Sequence, residues 1–293
     1  MKFLYSIHAA VKKALNEFNR EISFNSKKTC SHSHSQWSEI RQLKCIFVLS
    51  TGRAGTKLLS EVLKKSSNLW VEHSPHPELA HQSSLVYRAK LSGESLEWAF
   101  LHARLDLLST IYKSGHLYVE TNNRISLYAP GIAKLLPNAK FIHLVRHPAE
   151  FVRSGMRRGY YEHMEPEQSG HLVPREGDPV FDSWDRMHRI EKIAWQWNEI
   201  NAHIESFKRN FSSERVFFLK SDELFSQVDA ISKIERFIEI DAINPRTVQR
   251  VLSRKVNSQE KGQFPSYQEW SVEQKNMLKK WAPLAEAYGF DIQ

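Results

Sequence analysis

Short apolar runs alternate along the chain with longer stretches in which apolar residues recur every three or four positions. The runs are typical of strands buried on both faces, and they lie at residues 44–50, 116–120, 141–145 and 216–219. Helical spacing separates them, as in residues 96–111 and in the stripe from Met187 to Phe207. Trp195 falls off that stripe and is expected to face a neighbour, a substrate or solvent. The alternation predicts an α/β fold of three layers, in which helices flank a mostly parallel central sheet.

The two ends of the pattern differ from its middle. Residues 1–23 place apolar side chains on one face of a predicted amphipathic helix, and residues 24–43 are mostly polar, as in a linker. We therefore predict an N-terminal helix and linker over residues 1–43 and one α/β domain over residues 44–293. Packing of the helix on that domain is favoured, and the alternative is that this basic helix lies on a membrane or a partner.

Charge and cysteine content narrow the class of protein. Lys and Arg number 41 against 33 Asp and Glu, and the net charge of +8 favours anionic partners. Two cysteines, Cys30 and Cys45, make no disulfide framework and favour a reducing compartment, so we expect a cytoplasmic protein. No apolar run approaches the ~18 residues of a membrane span, and the first residues lack the apolar core of a signal peptide. We expect no metal site, since the histidines at 32 and 34 have no acidic or thiol companions at a useful spacing.

A phosphate-binding loop is predicted between the first strand and the helix that follows it. The segment at residues 50–59 reads STGRAGTKLL, and free N–H groups at a helix N-terminus attract phosphate. Arg53, Thr56 and Lys57 add two charges and a hydroxyl. The loop is not a Walker A motif, because Thr56 stands where a glycine belongs and Leu58 stands where the magnesium-binding hydroxyl belongs.

A second candidate for phosphate binding follows the strand at residues 141–145. Arg146 lies at its carboxyl end, Pro148 suits the first turn of a helix, and Ser154 comes eight residues after Arg146. A guanidinium fork and a hydroxyl on neighbouring elements can hold one phosphate.

Together these motifs resemble those of the P-loop sulfotransferase family, whose sulfuryl donor is 3′-phosphoadenosine 5′-phosphosulfate (PAPS). Arg53, Gly55 and Thr56 fall on its 5′-phosphosulfate loop, whereas Ala54 replaces a serine and Lys57 a threonine. Arg146 and Ser154 fall on its 3′-phosphate motif, with His147 where Asp or Asn is commoner. Ser221 takes a place often held by Tyr. The resemblance implies a P-loop NTPase-like fold and a PAPS-binding set: Gly52, Arg53, Ala54, Gly55, Thr56, Lys57, Leu58, Arg146, Ser154, Lys261 and Gly262.

The resemblance also implies a mechanism. A sulfuryl group would pass to a hydroxyl or amine of an acceptor, while Arg53 and Lys57 stabilise the leaving phosphate without a metal. The general base lies between the two motifs in this family, and His73 and Glu72 are the leading candidates. The further candidates are His76, Glu78 and Glu120. For Glu120 the alternative is a structural contact to the nearby Arg124.

The partners follow only in part. The expected donor is a small nucleotide, the acceptor is open among carbohydrates, lipids, peptides and small alcohols, and aperiodic residues 160–183 are expected to shape that choice. A second aperiodic segment covers residues 253–270. Two other functions remain as alternatives: a P-loop kinase or related phosphoryl transferase, and a basic nucleic-acid-binding protein. Nucleic acid is not favoured, because the basic residues concentrate at two strand–helix junctions.

Overall fold

The computed structural model describes residues 34–162, 166–226, 228–253 and 263–292. The chain divides into two units, residues 1–40 and 41–293. The described part of the first unit is one helix, α1 (His34–Ile40). The helix predicted over residues 1–23 lies outside the described residues, so its packing or membrane contact stays a prediction, as does the domain boundary after residue 43.

A five-stranded parallel sheet forms the centre of the second unit, as predicted. The strands are β1 (Cys45–Leu49), β2 (Leu69–Glu72), β3 (Leu117–Glu120), β4 (Lys140–Val145) and β5 (Val216–Lys220). Their order is β2-β3-β1-β4-β5. Four of the strands match the predicted apolar runs, and β2 was not predicted.

Helices cover both faces of this sheet. They are α2 (Thr56–Leu63), α3 (Ala80–Arg88), α4 (Glu94–Ser114), α5 (Ala129–Leu135), α6 (Pro148–Arg157), α7 (Arg189–Arg209), α8 (Ser221–Ser226), α9 (Val228–Ile238), α10 (Pro245–Leu252), α11 (Val272–Trp281) and α12 (Leu284–Ala287). Short 3₁₀ turns add Asn123–Tyr128, Phe181–Arg186, Ser213–Arg215 and Tyr267–Glu269. In the part of the chain that the structure covers, no helix combines the length and apolar character needed to cross a membrane.

The core lies on both sides of β1, which explains its unbroken apolar run. Ile46 and Val48 belong to a cluster with residues of α2, α9 and α10. Phe47 points to the other face, where its ring centroid lies 5.6 Å from that of Phe100 in α4. A second cluster joins α6, α7, α11 and α12. Burial on both faces fixes the register of β1 and therefore the position of the loop that follows it.

The neighbouring strands β1 and β4 end side by side. Leu49 pairs with His143 in the parallel register, so the residues after each strand emerge at the same edge of the sheet. In the sheet, β3 lies on one side of β1 and β4 lies on the other, so the chain crosses β1 between these two strands. Ligands of open α/β sheets bind in the crevice at such a switch point.

Candidate functional site

The loop after β1 adopts a conformation that its glycines permit. Gly52, Arg53 and Gly55 have φ angles of +82°, +57° and +96°. A side chain at Gly55 would place its Cβ 2.7 Å from the ring of Phe225, closer than real contacts come. Gly55 also forms the N-cap of α2 without a side-chain hydrogen bond, which leaves the first N–H groups of that helix available for an anion.

Two serines hold this loop in place. The Ser126 hydroxyl accepts from Ser50 N and donates to Ser50 O, both at 2.9 Å. The Ser221 hydroxyl lies 2.7 Å from the carbonyl oxygen of Ala54, to which it donates. Ser221 is the residue that replaces the family's usual Tyr, and here it anchors the loop.

The second motif meets the first at this loop. Arg146 Nη1 donates to the carbonyl oxygen of Arg53 at 2.7 Å, and Nη2 donates to Glu150 at 3.1 Å. The side chain of Arg53 in turn donates to Ser154 Oγ at 3.0 Å. The structure thus brings together two arginines and a serine that the sequence placed in separate motifs.

These guanidinium groups form a concentrated positive charge. Burial lowers the pKa of Arg53, and repulsion from Arg158 and Arg146 lowers it further. Burial also lowers the pKa of Arg146, against the opposing effect of Glu150. Both remain protonated at neutral pH, since arginine does not deprotonate in proteins. An anion such as a phosphate would relieve this repulsion.

His147 stands where Asp or Asn is commoner in the family, and its side chain caps the helix that follows. Its Nδ1 accepts a hydrogen bond from the backbone N–H of Ala149 at 3.2 Å, which caps α6. Nε2 lies 2.9 Å from the carbonyl oxygen of Asp291, to which it donates. The departure from the family pattern therefore leaves the start of α6 intact, and Pro148 takes the first turn as predicted.

A cavity of about 460 Å³ opens over the phosphate loop. That volume lies in the usual range for small-molecule sites. Its lining comprises Thr51, Gly52, Arg53, Gly55, Thr56, Lys57, Leu58, His73, Ser74, Asn123, Arg124, Arg146, Tyr160, His171, Gln196, Phe225 and Leu252. Ala54 and Ser154 do not line it, although Ser154 contacts the lining residue Arg53. Lys261 and Gly262 lie outside the described residues.

His73 is the candidate base that the structure places in the cavity. It follows β2, and its Nδ1 lies 2.8 Å from the carbonyl oxygen of Thr121 and 2.9 Å from that residue's hydroxyl. A carbonyl oxygen only accepts, so Nδ1 carries the proton and Nε2 keeps its lone pair. Burial lowers the pKa of His73, and the nearby charge of Lys57 lowers it further. The imidazole is therefore neutral at pH 7 and able to take up a proton.

The structure does not bring the other base candidates to the cavity. Glu72 accepts a hydrogen bond from Trp70 Nε1 at 3.0 Å and does not line the cavity. His76 and Glu78 are exposed and also lie outside its lining.

Glu120 has a structural role, although not with its predicted partner. It is fully buried and forms an ion pair with the fully buried Arg104 at 2.7 Å. The contact predicted to Arg124 was wrong: Arg124 donates instead to the carbonyl oxygens of Gly170 and Ser169. The carboxylate of Glu120 is thereby committed to the fold.

Sequence reasoning missed several residues of the cavity wall. Tyr160 and His171 come from the aperiodic segment that was expected to shape the choice of acceptor, and Gln196 comes from α7. The only sequence signal for Tyr160 and His171 was the lack of periodicity in residues 160–183, and Gln196 had none. Trp195 is buried, and its ring centroid lies 5.1 Å from that of Trp184. Of the three surroundings predicted for this side chain, the structure shows a neighbour within the chain.

Comparison with known proteins gives the family. A model described as "Sulfotransferase family" matches residues 45–245, more than half of the chain. The sulfotransferase domain from the curacin biosynthetic pathway superposes with a TM-score of 0.51 at 14% identity, covering 86% of this chain and 99% of that one. Sulfotransferase STF9 from Mycobacterium avium gives 0.52 at 12% identity, with 92% and 81% covered. No curated protein sequence matches significantly. These structures show the predicted fold, and the family match shows that the chain belongs to the sulfotransferase family.

Proposed function

We propose that this protein transfers a sulfuryl group from PAPS to a hydroxyl of a small acceptor. The observation that supports the proposal best is the convergence of Arg53, Arg146 and Ser154 beside a glycine loop at the start of a helix. Two phosphate-binding features side by side suit a nucleotide with phosphates at both ends of its ribose. Arg146 and Ser154 would hold the 3′-phosphate, and residues 52–58 would hold the 5′-phosphosulfate.

The chemistry of the transfer assigns a task to each charged group. The bond between sulfur and the bridging oxygen breaks, and a bond from sulfur to the acceptor oxygen forms. The electron pair of the broken bond stays on the leaving phosphate, where Lys57, Arg53 and the N–H groups of the loop would stabilise the growing charge. Lys57 lines the cavity and has no ion-pair partner among the residues whose contacts the structure gives.

The acceptor hydroxyl must lose its proton during the same step. In this proposal Nε2 of His73 takes it, because that nitrogen keeps a lone pair while Thr121 fixes the proton on Nδ1. The pKa of His73 is lowered by burial, so the group starts neutral and needs no prior deprotonation at pH 7. Thr121 acts as a positioning residue that sets the ring's tautomer and direction.

Calorimetric titration with the product nucleotide, 3′-phosphoadenosine 5′-phosphate (PAP), tests the donor half of the proposal. Adenosine 5′-phosphate lacks the 3′-phosphate and serves as the matched ligand, and Mg-ATP tests the kinase alternative. Of the three nucleotides, we expect only PAP to bind with micromolar affinity. In Arg146→Ala the affinity for PAP should fall at least tenfold. Arg215→Ala is the control variant, since Arg215 donates to the Ala139 carbonyl oxygen, away from the cavity.

Preference for Mg-ATP over PAP would favour the kinase alternative instead. Equal affinity for PAP and adenosine 5′-phosphate would remove the 3′-phosphate assignment of Arg146 and Ser154. Incubation with PAPS and release of PAP, followed by chromatography, then tests group transfer itself.

A further inference from the structure

The side chains that carry a charge into the cavity are all basic. Its lining includes Arg53, Lys57, Arg124 and Arg146, and among the lining residues that the structure describes none is an Asp or a Glu. Three of these cations already have a task in the proposed donor site: Arg53 and Lys57 at the 5′-phosphosulfate and Arg146 at the 3′-phosphate. Arg124 is the charged lining residue that this site leaves without a task.

Arg124 is held on the part of the wall that residues 169–171 form. Its guanidinium donates to the carbonyl oxygens of Ser169 and Gly170, and a Cβ at Gly170 would lie 2.6 Å from its Nη1. Burial, and then the charge of Arg124, lower the pKa of His171 to about 4. The charge of Arg124 therefore acts at this wall, and backbone contacts fix its position.

The guanidinium of Arg124 keeps hydrogen-bonding capacity that the fold does not use. It has five N–H groups, and the two carbonyl oxygens take one from each terminal nitrogen. Its Nε makes no hydrogen bond to any described residue, and it is not sealed from solvent as the unpaired Nε of Arg189 is. Because Arg124 lines the cavity, its unused N–H groups are open to a ligand there.

The charge of Arg124 also lacks a neutralising partner. No acidic side chain forms an ion pair with it in the described part of the chain, although the charge of Glu78 acts on it from farther away. Burial lowers the pKa of Arg124, yet an arginine stays protonated in proteins. A desolvated cation without a counter-charge costs free energy, and an anionic ligand offsets that cost.

We propose that the acceptor is a hydroxy compound that also carries an acidic group, with its hydroxyl at His73 and its carboxylate, sulfate or phosphate on Arg124. This assignment rests on the function proposed above and deepens it. A guanidinium fork matches two oxygens of such a group. The charges of the nucleotide would repel a second anion in the same cavity, and Arg124 supplies the cation that offsets this repulsion. The same cation disfavours an acceptor with an ammonium group.

The test compares acidic compounds with neutral partners of similar shape. Glucuronate, glucose 6-sulfate and glucose 6-phosphate are compared with glucose, and 4-hydroxybenzoate is compared with 4-hydroxybenzamide. Each is titrated by calorimetry into protein saturated with PAP, so that the donor's phosphate sites are already filled. PAP binding is measured first in every protein, which assesses the donor half separately.

Three variants locate the acidic group. Arg124→Gln removes the charge and keeps a donor for a backbone carbonyl oxygen, whereas Arg124→Lys keeps the charge. Arg215→Gln is the matched control, because Arg215 also holds a backbone carbonyl oxygen, that of Ala139, but does not line this cavity. Damage to the wall alone would weaken the acidic and the neutral member of a pair alike, so the ratio of their affinities is the deciding quantity.

In the wild-type protein we expect at least one acidic compound to bind about tenfold or more tightly than its neutral partner, as a hydrogen bond to a charged group allows. Arg124→Gln should abolish that preference with PAP affinity unchanged. Arg124→Lys should keep part of it, and Arg215→Gln should behave like wild type. Turnover, followed as PAP released from PAPS, should favour the acidic member of each pair that reacts.

Three results would overturn the assignment while the donor site stands. One is PAP binding by the wild-type protein with no acidic compound bound more tightly than its neutral partner, a comparison that holds even if a variant does not fold. Another is an unchanged affinity ratio in Arg124→Gln, and the third is faster turnover of the neutral members. Absence of PAP binding in the wild-type protein would instead refute the proposed function on which the assignment rests.

Discussion

Replacement of Glu120 by alanine tests whether a desolvated charge pair holds the end of β3. Arg104 donates two hydrogen bonds to this carboxylate, from Nε at 2.9 Å and from Nη2 at 2.7 Å. Tyr118 donates a third at 2.9 Å, and Asn122 donates a fourth at 3.2 Å. Both charged side chains are 0% exposed. Loss of the carboxylate would leave a buried guanidinium without its counter-charge.

The size of the effect follows from that burial. Removing one partner of a buried pair costs about 3–5 kcal/mol, because the remaining charge is desolvated and unpaired. Domains unfold with only about 5–15 kcal/mol in total, so Glu120→Ala should lose a large share of the stability. For a domain of this size the melting temperature should fall by roughly 6–20 °C.

Urea unfolding followed by circular dichroism measures the loss. The double variant Glu120→Leu with Arg104→Met removes both charges and should recover most of the stability. Asp229→Ala breaks the exposed pair with Lys233 and should cost less than about 1 kcal/mol. The reasoning fails if Glu120→Ala is as stable as Asp229→Ala, or if the double variant is no more stable than Glu120→Ala.

Four further outcomes are expected. His73→Ala should lower kcat by about 10²–10⁴-fold with PAP affinity unchanged. In the wild type, the acid limb of kcat/KM should lie below pH 6.5, because burial lowers the pKa of His73. An acid limb above pH 6.5 would exclude His73 as the base. Ser221→Ala should weaken PAP binding by about 1 kcal/mol in calorimetry, since the loop loses a hydrogen bond; equal affinity would show that the loop holds its shape unaided. Gly170→Ala should melt at a lower temperature than Gly177→Ala, because both have positive φ but only a Cβ at Gly170 meets atoms, at 2.6 Å; equal melting would refute the close approach. The pKa of His171 is about 4 against an ordinary 6.5, so as the pH falls the unfolded chain binds a proton at this residue before the folded chain does. About 3 kcal/mol of stability is therefore lost between pH 6.5 and pH 4. Denaturant unfolding of His171→Phe should lack this loss, and the same pH dependence in variant and wild type would contradict the reasoning.

The strands that the sequence predicted are those whose surroundings leave a clear pattern. β1 and β4 are buried on both faces, so nearly every position in them is apolar. β2 has only four residues, and just Leu69 and Val71 of them are buried. So short an alternation does not stand out from the polar residues that follow it, and the segment was interpreted for its acid and base groups alone.

The parts of the site that the sequence predicted are local motifs, and the parts that it missed depend on contacts between residues far apart in the chain. The phosphate loop and the eight-residue spacing of Arg146 and Ser154 are local, because each motif spans one strand–helix junction. The contact of Arg124 with Gly170 joins residues 46 positions apart, and the second of them lies in a segment without periodicity. No pattern in the sequence indicates such a pairing, so His171 was not among the predicted site residues. The roles of the predicted residues stay predictions until binding is measured.

The anchoring of the segment that carries His171 has a consequence for how such an enzyme diversifies. The groups proposed for the donor project from the ends of β1 and β4 and from α2 and α6, which belong to the core. The part of the cavity wall around His171 is held by a few contacts, chiefly those of Arg124 with the Gly170 carbonyl oxygen and of Gln196 with the Leu172 N–H. Substitutions between these contacts alter the wall without disturbing the sheet. Selection can therefore alter this part of the cavity while the proposed donor site is retained.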